Sequence, residues 1–159
     1  MAKKGTDLVV SDKDLIIEEL NKAYADEWIA YFQYLSLATI ATGRGSFQFA
    51  DAIKHIAKEE LEHSEEVAER IMQLGGEPIT DWDEINKKAN CSDPSKLPAS
   101  KDLEGMARLI LDDERCAIGV YDKLMALTKD KDFITYNLMM HILEEEVHHE
   151  DEILQFLGE

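Results

Sequence analysis

The sequence is short of basic residues and of long hydrophobic runs, and each shortage excludes a class of partner. Its 159 residues include 17 Lys and Arg against 34 Asp and Glu, which gives a formal net charge of −17. Nucleic acids and anionic membrane surfaces both attract clusters of Lys and Arg, so we expect neither as a partner. No run of about 18 apolar residues is present to span a bilayer. The acidic excess leaves metal cations as plausible partners.

The sequence also has little that indicates export. No apolar segment follows Lys3 and Lys4, so no secretory signal is visible, and we expect a cytoplasmic, reducing environment for the two cysteines. A hydrophobic fraction of 45% is too high for a disordered acidic chain. The length fits one domain with a buried core, and we assign a single domain to 1–159.

Glycine and proline are sparse, and the few that occur divide the chain into four long segments with helical periodicity. No strand-like alternation of apolar and polar residues competes with it. The first segment starts at a capping-box-like Ser11 and stops before Gly43, and the second ends at Gly75. The predicted helices cover about 11–42, 46–75, 100–127 and 132–157.

The linkers between these segments indicate their topology. Short links join the first segment to the second and the third to the fourth, which makes two antiparallel hairpins. The stretch over about 76–99 carries all three prolines, Pro78, Pro94 and Pro98, and is long enough to recross the whole bundle. The prediction is an all-α four-helix bundle with one long crossover between the second and third helices, after a tail over 1–10. A plain up-down bundle or a long coiled coil is the alternative.

One glutamate of each predicted helix lies inside the apolar stripe rather than on the polar face. Leu20 and Ala23 precede Glu27 at helical spacing, and Tyr31 and Tyr34 follow it. The same placement recurs once in each of the other segments. The four inward carboxylates are Glu27, Glu60, Glu114 and Glu146. Each helix is therefore expected to carry one carboxylate into the core.

Carboxylates in a core need a partner, because an unpaired one is strongly destabilising or takes up a proton. No Lys or Arg lies on the inner stripes, so a bound cation is the better explanation. Two of the glutamates have a histidine three residues on, in Glu60-x-x-His63 and Glu146-x-x-His149, which puts both side chains on one helix face. Four glutamates with two such pairs form the inward ligand set of di-iron and di-manganese sites. The absence of thiolate ligands favours iron or manganese over structural zinc.

Two alternatives to this ligand set remain open. Glu145 and His148 also have the Glu-x-x-His spacing, although the helical neighbours of Glu145 are polar and indicate a solvent-facing register. Asp113 competes with its neighbour Glu114, because apolar residues surround it at helical spacing. Glutamate is common in this chain, so a Glu-x-x-His pair can also arise by chance.

The order and context of these residues resemble the ferritin-like superfamily over nearly the whole chain. The resemblance is to the intrasubunit di-iron centre of bacterioferritins and rubrerythrins, through Glu27, Glu60-x-x-His63, Glu114 and Glu146-x-x-His149. It implies that Glu60 and Glu146 bridge two irons. It also implies that Glu27 and His63 complete one iron, and that Glu114 and His149 complete the other.

Tyr34, seven residues after Glu27, matches the same family pattern. The resemblance implies a catalytic role for it, as a redox residue beside the irons, and an ordinary aromatic core residue is the alternative. Leu61 stands where bacterioferritins have a haem-ligating methionine, so no haem is expected. The chain ends soon after the fourth helix, as in Dps-type cages of twelve subunits, but its first histidine is His55, whereas Dps sites use a histidine of the first helix.

A bacterioferritin-type site in a chain of Dps-like length resembles the Dps-like proteins called thioferritins. These carry two cysteines near the di-iron centre, and Cys91 and Cys116 match that arrangement in order and placement. The resemblance implies a redox pair that opens and closes as a disulfide. Two unrelated reduced thiols are the alternative.

The function that the resemblance implies is a ferroxidase that stores iron and protects against oxidative stress. Hydrogen peroxide or oxygen would oxidise Fe(II) at the di-iron site, and ferric mineral would collect in a homo-oligomeric cage, expected to have twelve subunits. A rubrerythrin-like peroxidase without storage is the nearest rival. Such proteins usually carry a rubredoxin-type iron domain, whose four cysteines this chain cannot supply. The third possibility is a non-catalytic, metal-binding helical scaffold.

Overall fold

The computed structural model describes residues 4–9, 11–91 and 96–159. All regular structure in these ranges is helical, so the all-α prediction is confirmed. The elements are a 3-10 helix over Lys4–Leu8, α1 over Lys13–Ile40, α2 over Ser46–Leu74, α3 over Trp82–Lys88, α4 over Leu103–Thr128 and α5 over Phe133–Leu157. Lys3 of the predicted tail and Pro94 of the predicted crossover lie outside the described residues. None of the described helices is long and apolar enough to cross a membrane.

The four long helices form two hairpins. α1 packs along α2 and α4 packs along α5, and contacts between α1 and α4 bring the hairpins together. The predicted four-helix bundle with one long crossover between the second and third long helices is confirmed. The 3-10 helix and α3 are not predicted from the sequence, because both are too short for apolar periodicity to reveal. α3 packs on α1, so this part of the crossover covers the bundle.

Aspartates mark the start of three helices. Each carboxylate accepts a hydrogen bond from the backbone N–H three residues on, an arrangement that satisfies one of the free donors of a first turn. The pairs are Asp81 with Glu84 at 3.0 Å, Asp102 with Gly105 at 2.9 Å and Asp132 with Thr135 at 3.1 Å. α4 therefore begins at Leu103 rather than at Ser100.

The ends of the first hairpin agree only partly with the sequence. α2 ends at Leu74 and is capped by Gly75, which has a φ of 88°, a left-handed conformation that glycine adopts without strain. The capping box predicted at Ser11 does not form. Its hydroxyl donates instead to the carboxylate of Asp12 at 3.1 Å, and Asp12 precedes α1 without a capping bond from its side chain.

The core consists of two apolar clusters, one toward each end of the bundle. The first cluster includes Leu37, Phe49, Ile53, Met106 and Ile110. The second includes Ile16, Leu20, Ile71, Leu124 and Met139. Each of the four long helices contributes to both clusters, so its middle turns lie between them. The inward glutamates occupy these middle turns, which makes a polar layer enclosed by apolar packing on both sides.

A buried ion pair holds α2 against the start of α5. Nη2 of Arg70 donates to both carboxylate oxygens of Asp132 at 2.9 Å, and its Nε donates to the hydroxyl of Thr135 at 2.8 Å. Burial by itself raises the pKa of Asp132, but hydrogen bonds from Thr135 and Arg70 outweigh it and hold that pKa below its usual range. The hairpins are thus tied together by charge as well as by apolar contact.

Candidate metal centre

The polar layer contains all six residues that the sequence predicts as metal ligands. Their side chains are between 1% and 2% exposed, so the whole set is shut off from solvent. α1 and α4 contribute one glutamate each, and α2 and α5 contribute a glutamate and a histidine each. The six are Glu27, Glu60, His63, Glu114, Glu146 and His149.

The six side chains form two overlapping groups of four. One group is Glu27, Glu60, His63 and Glu146, and the other is Glu60, Glu114, Glu146 and His149. Within each group, one potential ligand atom per residue lies within 4.8 Å of all the others. Glu60 and Glu146 belong to both groups, which is the arrangement that a pair of ions with two bridging carboxylates requires.

Both histidines point Nδ1 into this layer. Nδ1 of His63 lies 3.1 Å from Glu146 and 3.4 Å from Glu60, and Nδ1 of His149 lies 3.2 Å from Glu60 and 3.4 Å from Glu114. The two imidazole rings are 6.0 Å apart between centroids. One nitrogen ligand is therefore available on each side of the two shared carboxylates.

The unpaired atoms of the layer test whether a metal pair fits it. The buried atoms without a hydrogen-bond partner include Glu60 Oε1, both carboxylate oxygens of Glu114, Glu146 Oε1 and Nδ1 of both histidines. Orphaned buried polar atoms of this kind are rare in folded proteins and costly. Oxygen donors with one imidazole per side suit iron or manganese. The residues present therefore fit two cations.

The pKa values of the layer show how it responds when no cation neutralises it. Burial and the charges of neighbouring carboxylates raise the pKa values of Glu27 and Glu114 well above normal. Burial would lower the pKa values of His63 and His149, but the negatively charged glutamates close to each ring outweigh it and raise both. Without metal the layer therefore retains protons, and binding of cations must displace them.

Two buried tyrosines contact the unshared glutamates in a crossed pattern. The hydroxyl of Tyr121 on α4 donates to Glu27 on α1, and Tyr34 on α1 lies beside Glu114 on α4. Burial and the nearby carboxylates raise the pKa of each tyrosine well above normal, so both remain protonated donors. Tyr121 is absent from the predicted site. The signal for it is its position seven residues after Glu114, the same spacing as between Glu27 and Tyr34.

The alternatives raised by the sequence fall outside the two groups. His148 is exposed and lies 3.4 Å from Glu152. Glu145 points instead toward His63, whose Nε2–H donates a hydrogen bond to it at 2.7 Å. Glu59 accepts the corresponding hydrogen bond from Nε2–H of His149 at 2.9 Å. Asp113 belongs to neither group and lines an adjacent cavity of about 20 Å³. The contacts of Glu59 and Glu145 with the site histidines are not predicted from the sequence.

The two cysteines lie beside the metal layer and are joined as a disulfide. Their Cα atoms are 5.9 Å apart, and Cys91 lines the same small cavity as Glu27 and Glu60. Asp26, next to Glu27 in the chain, accepts hydrogen bonds from the Cys91 backbone at 2.8 Å and from Asn90 at 2.7 Å. Burial raises the pKa of Asp26 to about 6 against the effect of these bonds. The crossover is thus anchored both to α1 and to α4.

The chain is similar to proteins of one known family. Residues 17–159 match the model of the ferritin-like domain, so the chain belongs to that family. It is 37% identical over 139 residues to the DNA protection during starvation protein of Pyrococcus furiosus, covering 87% of this chain and 75% of that protein. It is 32% identical over 138 residues to a bacterioferritin of Desulfovibrio desulfuricans, covering 86% and 71%.

The relative from Pyrococcus furiosus and a solved thioferritin structure support a Dps-type member of this family. A dodecameric thioferritin from Bacteroides fragilis superposes with a TM-score of 0.91 at 30% identity, covering 99% of this chain and 94% of that one. Dps from Staphylococcus aureus shares the fold, with a TM-score of 0.85 at 17% identity and coverage of 93% and 98%. The predicted resemblance to ferritin-like, Dps-type proteins is therefore confirmed.

Proposed function

We propose that the protein is a ferroxidase that oxidises Fe(II) with hydrogen peroxide or oxygen and stores the ferric product, protecting against oxidative stress. The observation that carries this proposal is the pair of overlapping ligand groups that share Glu60 and Glu146. Fully deprotonated, the four carboxylates of the layer match the charge of two divalent cations, and neutral imidazoles add none. A site of this charge and donor type suits two Fe(II) ions as substrate.

Two Fe(II) ions held at adjacent sites can together supply the two electrons that convert one hydrogen peroxide, with two protons, into two waters. The residues of the chain prepare that reaction. The apolar clusters on both sides keep bulk water away from the layer. The hydroxyl of Tyr121 holds Glu27 in place, and Tyr34 lies where a protonated donor can support Glu114. All six ligands are buried and lie close together in the layer, so the chain gathers them at one place before any ion arrives.

Storage requires an enclosed volume, which one bundle does not provide. We therefore extend the proposal to a homo-oligomeric cage of twelve subunits. Support comes from the similarity to the dodecameric thioferritin of Bacteroides fragilis and from large apolar side chains on the bundle surface. Phe47 is 88% exposed, and Phe32 and Phe133 are also exposed, as expected for surfaces that meet other copies.

Addition of Fe(II) to the metal-free protein separates the proposed function from its rivals. A rise in ferric absorbance with iron retained on the protein after gel filtration is the expected result. Oxidation that leaves the iron in the low-molecular-weight fraction would favour a rubrerythrin-like peroxidase. Failure to oxidise Fe(II) with either oxidant would favour a metal-binding scaffold. Glu60→Gln serves as the site-disrupted variant and Glu144→Gln, an exposed glutamate of α5, as its charge-matched control.

The absence of haem belongs to the same proposal. Leu61 follows Glu60 on α2, at the position where a haem-binding methionine would be needed. Protein purified from cells that were grown with haem precursors is therefore expected to show no haem absorbance. The cytoplasmic location stays a prediction.

A further inference from the structure

Each site histidine has a second ring nitrogen that faces away from the metal layer. His63 on α2 donates its Nε2–H to Glu145 on α5 at 2.7 Å, and His149 on α5 donates to Glu59 on α2 at 2.9 Å. The two contacts join the same pair of helices in opposite directions. We infer that Glu59 and Glu145 are positioning residues that orient His149 and His63 toward the metal ions. This inference rests on the proposed function, because it needs metal to bind in the layer.

The sequence repeats the elements of this arrangement. Residues 55–63 read HIAKEELEH and residues 141–149 read HILEEEVHH, so His, Ile, Glu, Glu and His recur at equal positions. In each segment the second glutamate of the pair, Glu60 or Glu146, points into the layer. The first, Glu59 or Glu145, lies about 100° away around the helix. One Glu-Glu pair therefore supplies a ligand to the layer and a partner for the histidine of the other helix.

The exposure of the two glutamates fits a supporting role. Their side chains are 29% and 38% exposed, whereas the histidines that they contact are 1% exposed. Glu59 and Glu145 thus stand at the edge of the layer, between the buried imidazoles and solvent. They belong to neither of the two groups that could hold a metal ion.

The hydrogen bond determines which nitrogen of the imidazole is free to bind. When a carboxylate accepts the proton on Nε2, the neutral ring keeps its lone pair on Nδ1, the atom that faces the glutamates of the layer. The bond also fixes the rotation of the ring about its Cβ–Cγ bond. Loss of such a partner typically weakens metal binding about 10- to 100-fold.

The crossed pattern gives a test that does not depend on iron oxidation. The probe is Zn(II) alone, titrated into the metal-free protein in competition with a chromophoric chelator. His149→Ala leaves the group that contains His63, and His63→Ala leaves the group that contains His149. In the His63→Ala background, where His149 remains, Glu59→Ala is expected to weaken zinc binding about 10- to 100-fold. In the His149→Ala background, where the partner of Glu59 is already gone, Glu59→Ala is expected to leave zinc binding unchanged.

The second pair should show the reverse pattern. Glu145→Ala is expected to weaken zinc binding in the His149→Ala background and not in the His63→Ala background. Glu59→Gln and Glu145→Gln keep a hydrogen-bond acceptor at the same side-chain length, so each should lose less affinity than the alanine variant. Glu62→Ala and Glu144→Ala remove exposed glutamates of the same two helices and should leave the affinity unchanged in both backgrounds.

The outcomes distinguish this inference from the proposed function. If wild-type protein binds no zinc in the layer, both are overturned. If it binds two ions but Glu59→Ala and Glu145→Ala match the controls, only the positioning role is overturned. Equal weakening in both backgrounds would also overturn it, because a general loss of negative charge does not distinguish between the histidines. Circular dichroism checks that each variant is folded, and the glutamine variants replace any alanine variant that is not.

Discussion

At the scale of single residues, some site residues can be predicted from the sequence of one helix, whereas others are identified only when two helices are packed together. Glu27, Glu60, Glu114 and Glu146 could be predicted because a carboxylate inside an apolar stripe is visible within a single helix. Glu59 and Glu145 could not, because each lies on the partly exposed side of its own helix. Their partners are 90 and 82 residues away in the chain, so only the packing of α2 against α5 brings them into contact.

The shared position of Glu60 predicts a difference between two similar substitutions. Glu60→Gln is expected to reduce zinc binding by both ligand groups, because Glu60 belongs to both. Glu27→Gln, which alters a glutamate of one group only, should weaken zinc binding by that group and leave the affinity of the other close to wild type. Equilibrium dialysis with metal analysis measures both stoichiometries. Equal loss in the two variants would contradict the assignment of Glu60 as the shared ligand.

At the scale of elements, the long helices and the position of the crossover were predictable, whereas the path of the crossover over the bundle was not. The apolar periodicity and the glycines place the ends of α2 and α5 within a residue or two of the structure. α3 spans only 7 residues, so its packing on α1 has no periodic signal in the sequence. The link from Cys91 to α4 depends on how the crossover folds back, and the family resemblance was needed to suggest it.

The disulfide between the crossover and α4 is predicted to respond to peroxide. In protein reduced beforehand, hydrogen peroxide should oxidise the thiols of Cys91 and Cys116 to the disulfide, with release of two waters. Alkylation followed by mass spectrometry should find two labelled cysteines before peroxide and none after it. Cys116→Ser, which leaves one thiol, controls for oxidation without pairing. Unchanged labelling of the wild type would contradict a redox role for the pair.

The ion pair between α2 and α5 predicts a pH dependence of stability. The pKa of Asp132 is lowered in the folded state, so its contribution is present above its unfolded pKa of about 3.9 and is lost as pH falls through the lower folded value. Asp132→Asn is expected to cost about 3 kcal/mol at pH 7, because it leaves Arg70 buried without its counter-ion. Denaturant unfolding should show that the cost shrinks below pH 4.

An exposed pair on α4 provides the control for this measurement. Arg108 and Glu104 are 3.0 Å apart, and both side chains are at least half exposed. Glu104→Gln should therefore cost less than about 1 kcal/mol at either pH. A similar cost for Asp132→Asn would show that burial of the Arg70 pair has no consequence for stability.

At the scale of the whole molecule, the acidic excess becomes a property of the proposed cage. A chain with a net charge of −17 repels other polyanions and attracts ferrous ions, and twelve such chains would sum to roughly −200 before ions bind. The relative from Pyrococcus furiosus is called a DNA protection during starvation protein. This chain is nevertheless expected not to retain DNA, since binding to phosphates requires Lys and Arg clusters.

If the protein is a twelve-subunit cage, a single sample should show both the mass of twelve chains and iron that elutes with that mass. Size-exclusion chromatography with light scattering should give about twelve times the chain mass of 18.1 kDa, and iron added in excess of two ions per chain should elute with that peak. Phe47→Glu replaces an 88% exposed aromatic side chain with a charged one and is expected to shift the protein toward smaller species. The exposed Glu104→Gln should leave the mass unchanged. A wild-type monomer or dimer would contradict the cage even if each chain still bound two ions, because oxidation needs only the bundle whereas storage needs the enclosed volume.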